Sequence, residues 1–153
     1  MLYLCKLITD RSGMEGIRIF ECRGLDSLVV IPEEIKGQPV IELAPYIFSA
    51  QEDYEPEDRS DAFWWGEGEP EELSIVNGNA LTELKLPRTL KKVGAYGFYN
   101  CENLRSLELY STTMDWGAGV FTGCFGVEAI RIYVDETQKS CMKELLMELR
   151  QSL

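Results

Sequence analysis

The sequence predicts a short α/β solenoid built from repeats and folded as a single domain over residues 1–153. The first observation is an apolar pattern that occurs three times, as 81–86 (LTELKL), 104–109 (LRSLEL) and 127–132 (VEAIRI). Its copies start at positions 81, 104 and 127, so the pattern has a constant period of 23. The second observation is that the same period relates Phe98 to Phe121 and Cys101 to Cys124. Because stacked repeats create extended surfaces, this architecture favours binding over catalysis.

Residues 1–27 are predicted to form an N-terminal β-hairpin cap. Apolar runs at 2–8 and 17–22 flank a segment rich in turn-forming residues, which is the pattern of a hairpin. A further short strand at 28–31 ends at Pro32. Terminal units of repeat proteins are commonly atypical, so we expect these three strands to lie together over the open end of the solenoid.

Residues 28–50 are predicted to form the first coil of the solenoid, and residues 81–134 the coils that follow. Each coil has an apolar strand, a turn, a second apolar pair, a small residue and an inward-facing phenylalanine. The first coil carries three extra residues around Gly37. The small residue is expected to let the backbone turn tightly before the phenylalanine. It is Ala44, Gly94 or Gly117 in successive coils.

Residues 51–80 form an acidic insert that interrupts the repeat by roughly 27 residues. The chain has a net charge of −11, and the stretch 51–72, with ten acidic residues and one basic residue, carries −9 of it. A short helix is expected over 56–65, and a strand over 73–76 is expected to rejoin the sheet. A chain of this charge repels polyanions, so neither nucleic acid nor membrane is an expected partner.

Residues 135–153 are predicted to form a C-terminal helix cap. Asp135 is a suitable N-cap residue, and Gln138 three positions later fits a variant of the capping box. An apolar stripe at helical spacing follows, and we expect it to cover the last coil. The stripe comprises Met142, Leu145, Leu146, Leu149 and Leu153. Its alternative use is self-association, so the chain is predicted to be a monomer or a weak dimer.

Histidine is absent from the sequence, and this excludes triads built on His and most catalytic zinc sites. The five cysteines are an odd number without a C-x-x-C pair, so neither a disulfide framework nor a zinc site is expected. Cys101 and Cys124 share one repeat position, where a redox pair is the alternative to two buried core residues. We therefore predict a protein that is not an enzyme and holds no metal and no cofactor.

The repeats resemble a known family. Residues 81–101 follow the pattern L-x-x-L-x-L-P-x-x-L-x-x-V-G-A-x-x-F-x-x-C, and residues 28–48 contain I-P, G-x-P-V and L-A-P-Y-I-F. These patterns are similar to the BspA-like class of bacterial leucine-rich repeats, over 28–48 and 81–134. The resemblance implies a curved right-handed leucine-rich-repeat solenoid with a parallel sheet on one face and no catalytic residues. It also implies surface attachment and adhesion to host or matrix proteins.

The N-terminal segment lacks the leading charge and the apolar length of a secretory signal peptide. The expected location is therefore the cytoplasm, and export to the cell surface is the alternative.

The acidic insert holds the candidate partner-binding residues. Aromatic side chains beside charged ones are enriched at protein interfaces, and tryptophan is a common hot-spot residue. The candidates are Phe63, Trp64, Trp65, Tyr54, Asp58 and Asp61. The alternative is that the rings fold back to fill the gap that the insert opens in the coil. Trp116 precedes Gly117 at a core position of the repeat, so packing is its expected use.

We predict a non-enzymatic protein–protein interaction module, a repeat scaffold that presents the acidic aromatic insert to a protein or peptide, with a basic partner the best match in charge. The alternatives are an adhesin-type surface repeat domain and a carbohydrate- or Ca²⁺-binding module. The stretch 52–58 is acidic enough for calcium, but it lacks the ligand spacing of an EF-hand loop.

Overall fold

The structure is a computed structural model that describes residues 1–50 and 58–135, together with Lys143, Leu145 and Met147. Its strands form two sheets with a hydrophobic core between them. In chain order the strands are β1 (Leu2–Thr9), β2 (Glu15–Arg23), β3 (Leu28–Val30), β4 (Glu34–Ile35), β5 (Gln38–Leu43), β6 (Phe63–Gly66), β7 (Glu83–Lys85), β8 (Lys92–Val93), β9 (Ser106–Tyr110), β10 (Asp115–Trp116) and β11 (Ala129–Tyr133). Short 3₁₀ turns lie at Pro70–Glu72 and Gly78–Ala80.

One sheet, the hairpin sheet, has the strand order β10-β8-β5-β2-β1-β6, and β4 pairs with β5 beside this path. Strands β1, β2 and β6 pair antiparallel, whereas β2, β5, β8 and β10 are parallel. The other sheet, the repeat sheet, has the order β11-β9-β7-β3 and is entirely parallel. The solenoid therefore carries parallel strands on two faces, where the resemblance implied a parallel sheet on one face.

The strand register confirms the period of the repeat. Glu83 pairs with Ser106 in the repeat sheet, and Ser106 pairs with Ala129. In the hairpin sheet Lys92 pairs with Asp115 at the same period. Side chains alternate between the core and solvent along each strand, so equivalent leucines of successive coils stack inside. Val29, Leu84 and Leu107 are fully buried at one such position.

The first coil is longer than predicted. Val30 pairs with Lys85 and Leu43 pairs with Val93, so the segment 30–43 is aligned with the shorter segment 85–93. The first coil therefore holds five extra residues rather than the predicted three. They form a small hairpin in which β4 pairs antiparallel with β5. Lys36 and Gly37 connect these strands with φ of 52° and 77°, as a two-residue hairpin turn of type I′ requires.

A ladder of phenylalanines runs through the core. Phe48, Phe98 and Phe121 are fully buried, with ring centroids 5.8 Å and 5.3 Å apart in successive coils. Trp116 stacks on Phe121 at 5.6 Å and is partly buried against the core, which agrees with its predicted packing role. Aromatic pairs at these separations add about 0.5–1.5 kcal/mol beyond the area they bury. The ladder therefore ties each coil to the next.

The N-terminal hairpin is present, but the three N-terminal strands do not lie together. Strands β1 and β2 pair in the hairpin sheet, whereas β3 is the first strand of the repeat sheet. The reason is that β3 carries the first copy of the repeat pattern and pairs with β7 in the solenoid register. Residues 24–27 connect β2 to β3.

The helix predicted over 56–65 is wrong where the structure describes it. Residues 58–62 contain no helix, and Phe63–Gly66 is β6, paired antiparallel with β1. Residues 56 and 57 lie outside the described residues. The strand predicted over 73–76 is reduced to a single antiparallel bridge between Ile75 and Arg23, supported by a hydrogen bond from the Val76 N–H to the Cys22 carbonyl.

The predicted helix cap over 135–153 falls mostly outside the described residues, and it is not supported as an element. Lys143, Leu145 and Met147 have helical backbone, and Leu145 is fully buried in the core. The cap stays a prediction beyond these positions. Within the described parts of the chain, no helix is long and apolar enough to span a membrane.

Candidate functional site

Strand β6 places the aromatic residues of the insert at the end of the hairpin sheet. Trp65 lies opposite Tyr3, Trp64 opposite Leu4 and Phe63 opposite Cys5. Because side chains alternate along a strand, Phe63 and Trp65 face the core and Trp64 faces the outside. All three are partly buried. The packing of Phe63 and Trp65 agrees with the alternative in which the rings fold back. Partner binding by Trp64 stays a prediction.

The two inward rings pack against the N-terminal strands. Trp65 meets Tyr3 at a centroid distance of 6.0 Å, and the Lys36 ammonium lies 4.1 Å from the Phe63 ring. The Tyr3 hydroxyl donates a hydrogen bond of 2.7 Å to the Val30 carbonyl, which links this packing to the repeat sheet. Burial raises the pKa of Tyr3 well above its usual range. These contacts make the insert a structural part of the cap.

A buried carboxylate fixes the remainder of the insert. Glu21, on β2, is only 8% exposed and pairs with two arginines, Arg23 at 3.0 Å and Arg59 at 3.1 Å. Arg23 also donates to the Pro70 carbonyl at 2.7 Å and lies over the Trp64 ring at 4.9 Å. Because both arginines belong to or touch the insert, Glu21 joins it to the hairpin.

We expect Glu21→Gln to lower the free energy of unfolding by about 1.5–3 kcal/mol, the range for hydrogen bonds to charged groups. The physical reason is that two arginines lose the charge they share in a nearly buried position. Urea unfolding followed by circular dichroism measures the effect. The control is Glu33→Gln, which removes an exposed pair with Arg88 of 3.2 Å and should cost less than about 1 kcal/mol. Equal losses in the two variants would contradict this account.

Asp58 and Asp61 are exposed, and their role in partner binding stays a prediction. Asp58 accepts hydrogen bonds from the hydroxyl and the N–H of Ser60, and these bonds lower the pKa of its carboxyl. Asp61 has a φ of 66°, which the short polar side chain of aspartate tolerates. Tyr54 lies outside the described residues and stays a prediction.

The described part of the insert is strongly acidic on its surface. All six of its acidic side chains are exposed: Asp58, Asp61, Glu67, Glu69, Glu71 and Glu72. Arg59 is its one basic residue, and it is already paired with Glu21. The surface on both sides of β6 therefore has a negative electrostatic potential, which attracts cations.

A groove that the sequence did not predict lies between the insert and the first strand of the repeat sheet. It encloses about 610 Å³. Its side-chain lining is mainly apolar and includes two acids: Met1, Tyr3, Leu25, Leu28, Val30, Leu73, Asp26 and Glu67. Leu25 is 91% exposed. One sequence signal could have indicated this groove. Leu25 is an apolar residue inside a turn, residues 23–26, that otherwise consists of polar and glycine residues.

The outer face of the repeat sheet carries rows of charged and aromatic residues. Val30, Lys85, Glu108 and Arg131 lie side by side across the strands, so the charges alternate. The Tyr110 and Tyr133 rings stack at 4.9 Å. Neighbouring side chains of opposite charge can pair with each other across the strands. The face therefore does not present a surface of one charge to a ligand.

The two thiols that share one repeat position belong to the core. Cys101 and Cys124 are fully buried, and their Sγ atoms lie 3.3 Å and 3.1 Å from the Phe48 and Phe98 carbonyls of the preceding coils. Burial raises the pKa of Cys124 to about 11 and that of Cys101 further, so neither thiol is an activated nucleophile. Within the described residues, no cluster of three or more His, Cys, Asp or Glu side chains could hold a metal ion.

Parallel strands stacked at the period of the repeat over a phenylalanine ladder define a β-solenoid of the leucine-rich-repeat type. Residues 75–146 match the family described as BspA type leucine rich repeat region (6 copies). The predicted resemblance to the BspA-type leucine-rich repeats is therefore confirmed over these residues.

A solved structure is also similar. It is the crystal structure of the T. pallidum leucine rich repeat protein (TpLRR), at 13% sequence identity and a TM-score of 0.38. The similarity covers 96% of this chain and 92% of that chain. No curated protein matches the sequence significantly.

Proposed function

We propose that this protein is a non-enzymatic interaction module whose repeat scaffold presents the acidic insert to a basic protein or peptide. The repeat family suggests an interaction scaffold, and such repeats are generally non-enzymatic. The observation that carries the finer proposal is the exposure of all six described acids of the insert around a strand that the core holds in place. Rigid placement of like charges favours a partner of opposite sign.

The anchoring of β6 determines how the proposal is tested. Deleting the insert would also remove Phe63 and Trp65 from the core, so a loss of binding could reflect damage to the fold. Neutralising exposed acids leaves the packing intact. Asp58 is left unchanged because its carboxylate accepts a hydrogen bond from the Ser60 N–H. The insert variant combines Asp61→Asn, Glu67→Gln, Glu69→Gln, Glu71→Gln and Glu72→Gln.

A control variant changes the net charge equally but elsewhere. It neutralises one aspartate and four glutamates that are exposed in the remainder of the chain. These are Asp115→Asn, Glu15→Gln, Glu34→Gln, Glu102→Gln and Glu128→Gln. Each variant and the parent chain is immobilised and incubated with lysate of the source cells. The captured proteins are then quantified by mass spectrometry.

We expect a set of basic proteins whose capture falls severalfold with the insert variant but not with the control variant. Their capture by the parent chain should also weaken as salt rises, because exposed charges are screened beyond about 8 Å at 0.15 M ionic strength. Equal capture by both variants would show that total charge, and not the insert, attracts these proteins. That result would refute the proposed role of the insert.

A further inference from the structure

Among the described residues, no strand pairs with the outer edge of β6. In an antiparallel ladder, opposed residues alternate between pairs that exchange both backbone hydrogen bonds and pairs that exchange none. The Glu67 N–H donates to the Met1 carbonyl at 3.3 Å, and this bond sets the alternation. Trp65 and Phe63 therefore bond to β1, whereas the N–H and C=O groups of Trp64 and Gly66 point away from it. In the part of the chain that the structure describes, no backbone group pairs with them.

An open edge can template another strand, and proteins commonly block such edges with charge or with short strands. Strand β6 is four residues long and lies between exposed acids, with Asp61 before it and Glu67 after it. These charges repel a second copy of the same edge, because both copies would present negative side chains. They attract a basic strand. The acids beside this edge therefore select a basic strand and disfavour an acidic one.

The outward ring of Trp64 offers a specific contact to such a strand. Directly opposed residues of neighbouring strands project to the same face, so the residue that pairs with Trp64 would lie beside its ring. Arg23 already lies over this ring at 4.9 Å, which shows that the ring accepts a guanidinium in this environment. An arginine or lysine opposite Trp64 would lay its apolar stem beside the indole.

We propose that a basic segment of the partner adds to β6 as a further antiparallel strand of the hairpin sheet. The inference rests on the proposed function, because it names the binding mode of the basic partner. The central residue of the segment exchanges two hydrogen bonds with Trp64. Its neighbours on either side direct their own N–H groups to solvent. Binding thus combines main-chain pairing, which gives affinity, with charge, which gives selectivity.

The test uses a capped pentapeptide, acetyl-Lys-Val-Arg-Val-Lys-amide, and two N-methylated forms. In the proposed register the arginine opposes Trp64, so methylation of the arginine nitrogen removes a bonded N–H. Methylation of the second valine nitrogen removes an N–H that faces solvent. The peptides are titrated at low salt into uniformly ¹⁵N-labelled protein, and amide chemical shifts and exchange rates are recorded.

We expect the parent peptide to shift the Trp64 and Gly66 amides and to slow the exchange of the Trp64 N–H with water. Methylation at the arginine should weaken binding at least about tenfold, which corresponds to one lost hydrogen bond. Methylation at the valine should change it less than about twofold, within the effect of an exposed position.

The two proposals fail in different ways. Equal binding of both methylated peptides overturns strand addition but leaves charge-based recognition by the insert intact. Unchanged affinity for the insert variant, with its five neutralised acids, refutes the proposed function while strand pairing still stands. Absence of shifts at Trp64 and Gly66 overturns strand addition, as does a response confined to Leu25, Leu28 and Val30, which would place the peptide in the apolar groove.

Discussion

Replacing Phe98 by alanine is expected to lower the free energy of unfolding by about 3–5 kcal/mol, the range for large aromatic truncations in a packed core. Phe98 is fully buried and is the middle ring of the ladder, 5.8 Å from Phe48 and 5.3 Å from Phe121. Truncation opens a cavity that weakens the contact between two pairs of coils at once. In a solenoid each coil contacts only its neighbours, so no distant packing compensates.

The measurement for Phe98→Ala is urea unfolding followed by both tryptophan fluorescence and circular dichroism. The matched control is Phe125→Ala, because Phe125 is 75% exposed and its truncation should cost no more than about 0.5 kcal/mol. A small loss for Phe98→Ala would mean that the ladder relaxes around the cavity. If the two signals separate in the mutant, the coils have lost their coupling and unfold independently.

The repeat part of the fold could be predicted from the sequence because the same positions are buried in every coil. Each strand buries the same leucine positions against the coil before it, so the pattern at 81–86 recurs wherever a coil recurs. The register confirms this period in both sheets. The length of the first coil was misjudged because its extra residues form a hairpin of their own, with two residues of positive φ.

The insert could be predicted less well because it has no repeat to follow. Proline and acids before an aromatic run suit a helix start, but the alternation of inward Phe63 and Trp65 with outward Trp64 suits a strand. The tertiary context favours the strand. Without β6, one side of the eight-residue strand β1 would lack backbone partners, and a short helix could not supply them. The groove beside Leu25 depends on how two distant segments approach, which no local pattern shows.

From the sequence, small residues are expected at these repeat positions because the backbone turns tightly there. The structure gives a different reason for them. Gly94 has an ordinary φ, so no special turn demands glycine there. A Cβ added to Gly94 would lie 2.4 Å from the Pro45 nitrogen and 2.8 Å from the Ala44 carbonyl carbon. At Gly117 it would lie 2.4 Å from the Ala95 nitrogen. Glycine is required because the backbones of successive coils nearly touch at this position.

Gly94→Ala is therefore expected to destabilise the protein by about 3 kcal/mol, the upper end of the usual cost of overpacking. The obstructing atoms belong to the backbone of the preceding coil and cannot turn aside as a flexible side chain can. Relief requires the two coils to separate, which also strains the 2.9 Å hydrogen bond from the Gly94 N–H to the Leu43 carbonyl. Urea unfolding measures the loss, and hydrogen exchange of the Gly94 amide would report its local origin.

Gly97→Ala is the matched control, because Gly97 lies in the same turn and also has an ordinary φ. Its added Cβ would lie 3.1 Å from a Val93 side-chain methyl group and 3.2 Å from the Gly94 carbonyl oxygen, both much longer than the 2.4 Å contact at Gly94, so only small shifts are needed. We expect a cost below about 1 kcal/mol for this change. If both substitutions cost the same, glycine at these positions serves chain flexibility and not close approach. A large difference locates the constraint at the contact between coils, and Gly117→Ala should then reproduce the effect of Gly94→Ala one repeat later.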